Sequence, residues 1–187
     1  MKKDLDISLD VLRKGGVILY PTDTVWGLGC DATFAEAVEK IFAIKQRRDS
    51  KSLIILVNSH EMLEEYVQEI PPMAEEITKI ADKPITIVYP RSRNLAPGVS
   101  AEDGSVGIRI TKDKFCSALI EKLGKPLVST SANRSGEPAP GNFSEIPEEI
   151  IKAADYTVTI RREEKRKAKP SPVIRVEMNG EIKILRR

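Results

Sequence analysis

Hydroxyl, amide and cationic side chains recur in four short clusters, each next to an apolar run that predicts a strand or a helix. Arginine binds phosphate or carboxylate oxygens through a fork of N–H groups, and lysine adds a point charge. The clusters therefore predict a site for an anionic ligand, phosphate above all. Their members are Thr22, Asp23 and Thr24; Lys45, Arg47, Arg48 and Lys51; Ser105 and Arg109; and Ser129, Ser131 and Asn133.

Each cluster also has an interpretation without a ligand. The run from Lys45 to Lys51 is typical of a solvated helix end, where cations complement the helix dipole. The hydroxyls around Asp23 are typical of a turn, and Ser129-x-Ser131-x-Asn133 is typical of a loop. Arg109 is more informative, because a guanidinium among Val and Ile needs a partner. Neither common nucleotide-binding glycine motif occurs, so spacing alone predicts an anion-binding α/β protein.

Strands and helices alternate along the whole chain. A leucine stripe predicts a first helix that stops at Gly15-Gly16, and a T-x-x-E capping box at Thr33 predicts the start of a second. Asn179-Gly180 predicts a two-residue hairpin between the last two strands. This order favours an α/β fold with one twisted, mixed β-sheet flanked by helices, whose strand ends carry the clusters. The strands lie in "VILY", "LIILV", "ITIVY", "SVGIRI", "PLVST", "YTVTI", "VIRV" and "EIKIL".

Length and composition narrow the class of protein. The 187 residues suit a single domain, 1–187, and thirty basic against twenty-eight acidic side chains give a net charge of +2. No apolar run reaches the length of a membrane span or of a signal-peptide core. Cys30 and Cys116 lie far apart and match no metal spacing, which favours reduced thiols in a cytoplasmic protein. His60 is the single histidine, so a Ser–His or Cys–His hydrolase is disfavoured.

Four motifs in their order and separation resemble the YrdC family of threonylcarbamoyl-AMP synthases. They are "YPTDTVWGLGCDA", "IFAIKQR", "SVGIRI" and "KPLVSTSANRSGEP", and the resemblance extends over nearly the whole chain. It implies a YrdC-like sheet with a concave basic cleft. It also implies a nucleotidyltransferase that converts L-threonine, bicarbonate and ATP into threonylcarbamoyl-adenylate and pyrophosphate. A separate transferase complex would then modify an adenosine of tRNA.

The resemblance also implies roles for individual residues. Lys45 and Arg47 would hold the ATP phosphates and act in catalysis. Threonine would be bound by Thr22, Arg109, Ser129 and Ser171, and the nucleotide by Ser105, Ser131, Asn133 and Arg186. Mg²⁺ would arrive with ATP and keep several waters, so no dedicated protein metal site is expected.

This chain departs from the family pattern at several positions. Trp26 stands where a tyrosine is usual, and Arg48 and Ser52 stand where proline is frequent. The glycine-rich segment before Ser171 is replaced by "RREEKRKAKP". The YciO-like branch of the same fold lacks the Lys–Arg pair and the Ser-Ala-Asn run that this chain has.

The rival interpretation from another class is an RNA-binding module without synthase activity. Residues 161–169 hold six basic and two acidic side chains, a local charge of +4, which suits phosphate contacts. One Trp, four Tyr and four Phe leave few rings on which bases could stack.

Overall fold

The structure, a computed structural model, describes residues 1–46 and 53–187. The α-helices are α1 Lys2–Arg13, α2 Ala35–Ile44, α3 His60–Tyr66, α4 Pro72–Ile80, α5 Lys114–Leu123 and α6 Glu148–Ala153. The strands are β1 Ile18–Tyr20, β2 Gly27–Gly29, β3 Ile54–Val57, β4 Thr86–Tyr89, β5 Val106–Ile110, β6 Leu127–Val128, β7 Thr130–Ser131, β8 Tyr156–Thr157, β9 Val173–Val176 and β10 Ile182–Arg186. A short 3-10 helix, Phe143–Glu145, precedes α6. None of the helices built from the described residues has both the length and the hydropathy that crossing a membrane requires.

The strands form two mixed sheets. The smaller sheet has the order β7-β2-β1-β8 and the larger one β10-β9-β4-β5-β3-β6. The predicted α/β class is confirmed, but the single sheet is divided because "PLVST" belongs to both sheets. β6 pairs antiparallel with β3 in the larger sheet, and β7 pairs antiparallel with β2 in the smaller. Ser129, between β6 and β7, therefore lies where the two sheets meet.

Glycine lets the two sheets approach each other at this crossing. A Cβ on Gly29 of β2 would lie 2.5 Å from the carbonyl oxygen of Val128 and 2.5 Å from the ring of Tyr20. The Tyr20 hydroxyl donates to that same carbonyl at 3.1 Å. Any larger side chain at position 29 would push the buried tyrosine and the strand crossing apart.

Helices α1 and α5 pack against each other beside the sheets. Helix α5 begins at a side-chain cap, since Asp113 Oδ1 accepts from the backbone N–H groups of Phe115 and Cys116, each at 3.0 Å. It ends at Gly124, whose φ of 68° lies in the left-handed region that glycine adopts without strain. These signals fix α5 behind the carboxyl end of β5.

Two local predictions are wrong. Thr33 does not cap α2, because its hydroxyl and backbone N–H both donate to Asp31 Oδ1, at 2.7 and 2.8 Å, and the helix starts at Ala35. The last hairpin is not a two-residue turn. Val176 pairs with Ile182, so the connection spans residues 177–181, with Gly180 at a φ of 85°.

A buried carboxylate joins α1 to the end of β8. Asp4 is 3% exposed, and its Oδ1 accepts from the backbone N–H of Thr159 at 2.6 Å, the Thr159 hydroxyl at 2.9 Å and the Tyr156 hydroxyl at 3.0 Å. Burial by itself raises the pKa of Asp4, but these hydrogen bonds to the charged form outweigh it and leave the pKa below its ordinary value.

We therefore expect Asp4→Ala to lower the free energy of unfolding by about 1–3 kcal/mol at pH 7, because buried donors lose their acceptor. The folded-state pKa is depressed, so this contribution is present above the ordinary Asp pKa and is lost as pH falls through the lower folded value. Urea denaturation at pH 7 and at about pH 3 measures it. Asp6→Ala, on the exposed face of α1, is the control. The difference in the free energy of unfolding between the two variants should shrink at the lower pH, and a difference that stays the same would contradict this account.

Candidate functional site

Two adjoining cavities open where the sheets meet the C-terminal segment. The first, here called the strand-end cavity, has a volume of about 390 Å³, and its polar lining comprises Thr24, Arg109, Ser129, Thr130, Ser131, Asn133, Glu137, Ser171 and Arg186. The second, the basic cavity, has a volume of about 770 Å³, and its polar lining includes Thr22, Asp23, Lys83, Asn142, Arg161, Glu164, Arg166, Lys167 and Lys169. Thr24, Pro170 and Ser171 line both cavities, so the two form one continuous cleft.

Arg109 lies at the centre of this cleft. The side chain is 5% exposed, and its Nη2 lies 3.0 Å from Asp23 Oδ1 while its Nη1 donates to Ser171 Oγ at 3.2 Å. Nε is buried and has no hydrogen-bond partner among the described residues. Ser171 Oγ also lies 2.8 Å from Thr86 Oγ1, which holds the serine in place. The guanidinium is thus held by two residues and keeps N–H donors that its described partners do not use.

A second guanidinium borders the same cavity. Arg186 Nε donates to the Ser171 carbonyl oxygen at 3.0 Å. Burial, and then the positive charge of Arg109, lower the pKa of Arg186. A bound anion would offset this repulsion at Arg186.

The loop after β7 is held from behind by Lys45. This buried ammonium donates to the carbonyl oxygens of Ser131 at 2.6 Å and Asn133 at 2.7 Å. Asn133 Nδ2 donates to the carbonyl oxygens of Arg134 and Glu137, at 2.9 and 2.7 Å. Asn133 Oδ1 is buried, and no hydrogen-bond partner for it exists in the described ranges. A residue that lines the cavity therefore carries an acceptor that the described residues leave unsatisfied.

Small side chains keep the cavity open beside the strand crossing. A Cβ on Gly27 would lie 3.3 Å from the Thr130 carbonyl oxygen and 3.4 Å from Ser129 Oγ. The Ser129 backbone N–H donates to the carbonyl oxygen of Ile54 at 2.7 Å, which holds the Ser129 backbone at the start of β3. Backbone and hydroxyl groups can consequently approach a ligand closely here.

The turn after β1 forms the wall of the basic cavity. Thr22 Oγ1 donates to the Val25 carbonyl oxygen at 2.8 Å and accepts from the Thr24 backbone N–H at 3.0 Å. Trp26 packs against Phe143 with ring centroids 4.9 Å apart. The indole is also one of the side chains that line this cavity.

The basic segment 161–169 contributes side chains to the basic cavity. Arg161 Nη1 donates to Asp113 Oδ2 at 2.9 Å, and Lys167 Nζ lies 2.7 Å from Glu145 Oε1. The Ala168 backbone N–H donates to the Gly141 carbonyl oxygen at 2.9 Å. The excess positive charge is visible in the sequence, but its position over the cavity depends on these long-range contacts.

The structure gathers most of the residues that the sequence singled out. Those at the strand-end cavity are Arg109, Ser129, Ser131, Asn133, Ser171 and Arg186, and Thr22 lies at the basic cavity. Lys45 lies behind them, bound to the loop. Arg47 lies outside the described residues, as do Arg48, Lys51 and Ser52.

Ser105 is not brought to either cavity. Its backbone N–H and hydroxyl donate to Asp103 Oδ1 at 2.9 and 2.6 Å, at the opposite end of β5 from Arg109. Hydrogen bonds from Ser105 and then from Arg175 lower the pKa of Asp103 to about 2. In this structure Ser105 secures the start of the strand.

Sequence reasoning missed the role of Asp23 as the partner of Arg109. The two residues are far apart in the chain, and only a buried arginine in need of a counter-charge hinted at it. No group of three or more His, Cys, Asp or Glu side chains suited to a metal ion occurs within residues 1–46 and 53–187. The donors at the strand-end cavity are hydroxyl, amide and guanidinium groups, which suit phosphate and carboxylate oxygens.

Comparison with known proteins agrees with these features. The model of the family Sua5_yciO_yrdC, described as telomere recombination, matches residues 10–187. A protein of Vibrio cholerae named threonylcarbamoyl-AMP synthase is 39% identical over 140 residues, which cover 73% of this chain and 74% of that protein. A protein of Vibrio campbellii with the same name is 34% identical over 175 residues, which cover 91% of this chain and 93% of that protein.

A solved structure extends the comparison to three dimensions. The crystal structure of P. abyssi Sua5 complexed with L-threonine superposes with a TM-score of 0.78 at 30% sequence identity. The match covers 92% of this chain and 50% of that one, so the chain spans about half the length of that Sua5.

Lys45 provides a test of how the loop is held. We expect Lys45→Met to lower the free energy of unfolding by about 2–3 kcal/mol, because two buried carbonyl groups lose a charged donor. Lys40→Met is the matched control, since the exposed Lys40 donates to a single carbonyl, that of Gly15, away from the cavities. Chemical denaturation measures both variants. Equal losses would show that Lys45 does not support the loop.

Proposed function

The chain belongs to the Sua5/YciO/YrdC family, and from that premise we propose that it is a threonylcarbamoyl-AMP synthase. The reaction joins L-threonine, bicarbonate and ATP into threonylcarbamoyl-adenylate and releases pyrophosphate. The observation that carries the proposal is the pair of guanidinium groups, Arg109 and Arg186, that meet through Ser171 at one cavity. Such a site suits the simultaneous binding of a carboxylate and a phosphate.

The amino acid binds where the two cavities join. Its carboxylate accepts from Arg109, with the hydroxyls of Ser129 and Ser171 beside it. Thr22 lies on the adjacent wall, in the basic cavity. This places the α-amino group at the junction and directs the threonine side chain towards Trp26.

The nucleotide occupies the other side of the strand-end cavity. Ser131, Arg186 and the unpartnered Oδ1 of Asn133 border it, and Lys45 holds the loop that carries two of them. Arg47 is assigned to the phosphates from its motif alone. A Lys45 variant should thus weaken ATP binding by displacing Ser131 and Asn133.

The chemistry requires positioning more than proton transfer by side chains. The threonine ammonium group first loses a proton to water, and the neutral amine then attacks the carbon of bicarbonate; water leaves, which gives a carbamate. A carbamate oxygen then attacks the α-phosphorus, and the bond to pyrophosphate breaks. Guanidinium and hydroxyl groups that line the cleft hold the reactants together and stabilise the anionic transition states.

Mg²⁺ carried in with ATP would offset the negative charge that grows on pyrophosphate. The protein's own part is to orient the phosphate oxygens through the donors at the strand-end cavity. We further propose that the product passes to a tRNA-modifying transferase and that the protein acts in the cytoplasm. The two buried, unpaired thiols support a reducing compartment.

The rival interpretation, an RNA-binding module without synthase activity, is not favoured. The basic segment 161–169 supports phosphate contacts in general, but relatives that match most of the chain are named as synthases. RNA binding through the basic cavity would also leave the unpartnered Asn133 Oδ1 in the neighbouring cavity unexplained.

The proposed activity is tested by pyrophosphate release. Purified protein with ATP, Mg²⁺, bicarbonate and L-threonine should release pyrophosphate, and omission of threonine or bicarbonate should stop the release. Mass spectrometry of the mixture should detect threonylcarbamoyl-adenylate. Release that ignores threonine would refute the synthase assignment.

The role of Arg109 is tested by comparing two substrates in one variant. Arg109→Ala should raise the KM for threonine by tenfold or more, because a charged carboxylate contact is lost, and should raise the KM for ATP much less. Arg175→Ala is the control, because Arg175 is an ion-paired arginine of β9 that lines neither cavity. Equal increases for threonine and ATP in Arg109→Ala would remove the carboxylate assignment.

A further inference from the structure

A largely buried carboxylate stands out at the junction of the two cavities. Among the described lining residues the carboxylates are Asp23, Glu137 and Glu164. Glu137 is exposed, and Glu164 is half exposed and lies 3.0 Å from Arg161. Asp23 is only 14% exposed at its side chain, so solvent screens its charge far less.

Asp23 is fixed from two sides. Its Oδ1 lies 3.0 Å from Arg109 Nη2, and its Oδ2 accepts from the Thr111 hydroxyl at 3.3 Å. Asp23 lines the basic cavity, whereas Arg109 lines the strand-end cavity, and the cavities are continuous through Thr24 and Ser171. One negative and one positive group therefore stand side by side, each facing a different part of the same cleft.

This arrangement is unfavourable for a ligand that is only an anion. Asp23 offsets part of the charge of Arg109 and repels an incoming carboxylate. It is favourable for a ligand with both charges on one carbon atom. An α-amino acid has this distribution, with its ammonium group next to its carboxylate.

We propose that Asp23 binds the ammonium group of the amino-acid substrate and so selects amino acids over carboxylates that lack the amine. The inference rests on the proposed function and assigns a further substrate-binding residue to the same site. Arg109 lines the cavity with N–H groups that its described partners do not use, and it donates to the substrate carboxylate while Asp23 remains in contact with Nη2. The charges of Asp23, Arg109, the substrate carboxylate and the substrate ammonium group then alternate in sign around a closed circuit of contacts.

Preorganisation of Asp23 also strengthens the binding of the amine. Thr111 and Arg109 hold the Asp23 carboxylate before the ligand arrives, so little side-chain entropy is lost on binding. A carboxylate without the amine finds the same Arg109 but meets the repulsion of Asp23. Discrimination thus comes from one attractive contact and one repulsive contact.

The test compares two ligands that differ only in the amine. Isothermal titration of the full chain with L-threonine and with 3-hydroxybutanoate, in the presence of a non-hydrolysable ATP analogue, gives both dissociation constants. The wild-type chain should bind threonine at least tenfold more tightly. In Asp23→Asn the affinity for threonine should fall at least tenfold, while that for 3-hydroxybutanoate stays the same or rises.

Each other outcome counts against the proposal. If Asp23→Asn lowers the affinity for both ligands equally, Asp23 only positions Arg109. If it raises the affinity for both equally, Asp23 only competes with the ligands for Arg109. Unchanged threonine affinity would also overturn it. Asp82→Asn, a neighbouring exposed carboxylate in contact with neither cavity described above, is the control and should alter neither constant.

Two further results separate this inference from the proposed function. If Asp23→Asn does not fold, equal wild-type affinity for the two ligands is by itself sufficient to overturn the ammonium assignment. If the wild-type chain releases pyrophosphate with threonine and Asp23→Asn leaves the affinity for threonine unchanged, the synthase proposal stands and this inference falls. A wild-type chain that neither binds threonine nor releases pyrophosphate overturns both.

Discussion

The burial of one guanidinium group governs the architecture of the cleft. The Arg109 side chain is buried on a strand of the larger sheet, and fixed partners must offset the free-energy cost of its desolvation. Asp23 comes from the turn after β1 and Ser171 from the segment before β9, so distant parts of the chain converge on a single side chain. Because its described partners do not use every N–H group of Arg109, the guanidinium on which these segments converge remains available to a ligand.

The strand crossing at Ser129 gives this charge its surroundings. By moving from the larger sheet to the smaller within "PLVST", the chain opens a gap that hydroxyl and glycine residues line. Lys45 stabilises the loop beyond the crossing through two carbonyl groups. Lys45, which the family motif predicts as a phosphate ligand, thus has a structural task in this fold.

Local patterns predict the elements well, and long-range pairing limits the rest. Leucine periodicity and Gly124 place α1 and the end of α5 because those features act within one helix. The division into two sheets depends on which partner each half of "PLVST" finds, and no local rule specifies that. Thr33 has the sequence pattern of a cap, but Asp31 competes for its hydroxyl. The family motifs locate most of the site, but the Asp23–Arg109 contact arises only when the turn after β1 meets β5.

The position of Arg186 on an edge strand gives the cleft a second dependence. β10 lies at the edge of the larger sheet and pairs with β9, and its residues are exposed. Detachment of β10 from β9 would remove one of the two guanidinium groups from the strand-end cavity and leave that of Arg109. Anion binding would therefore report whether the edge strand is docked.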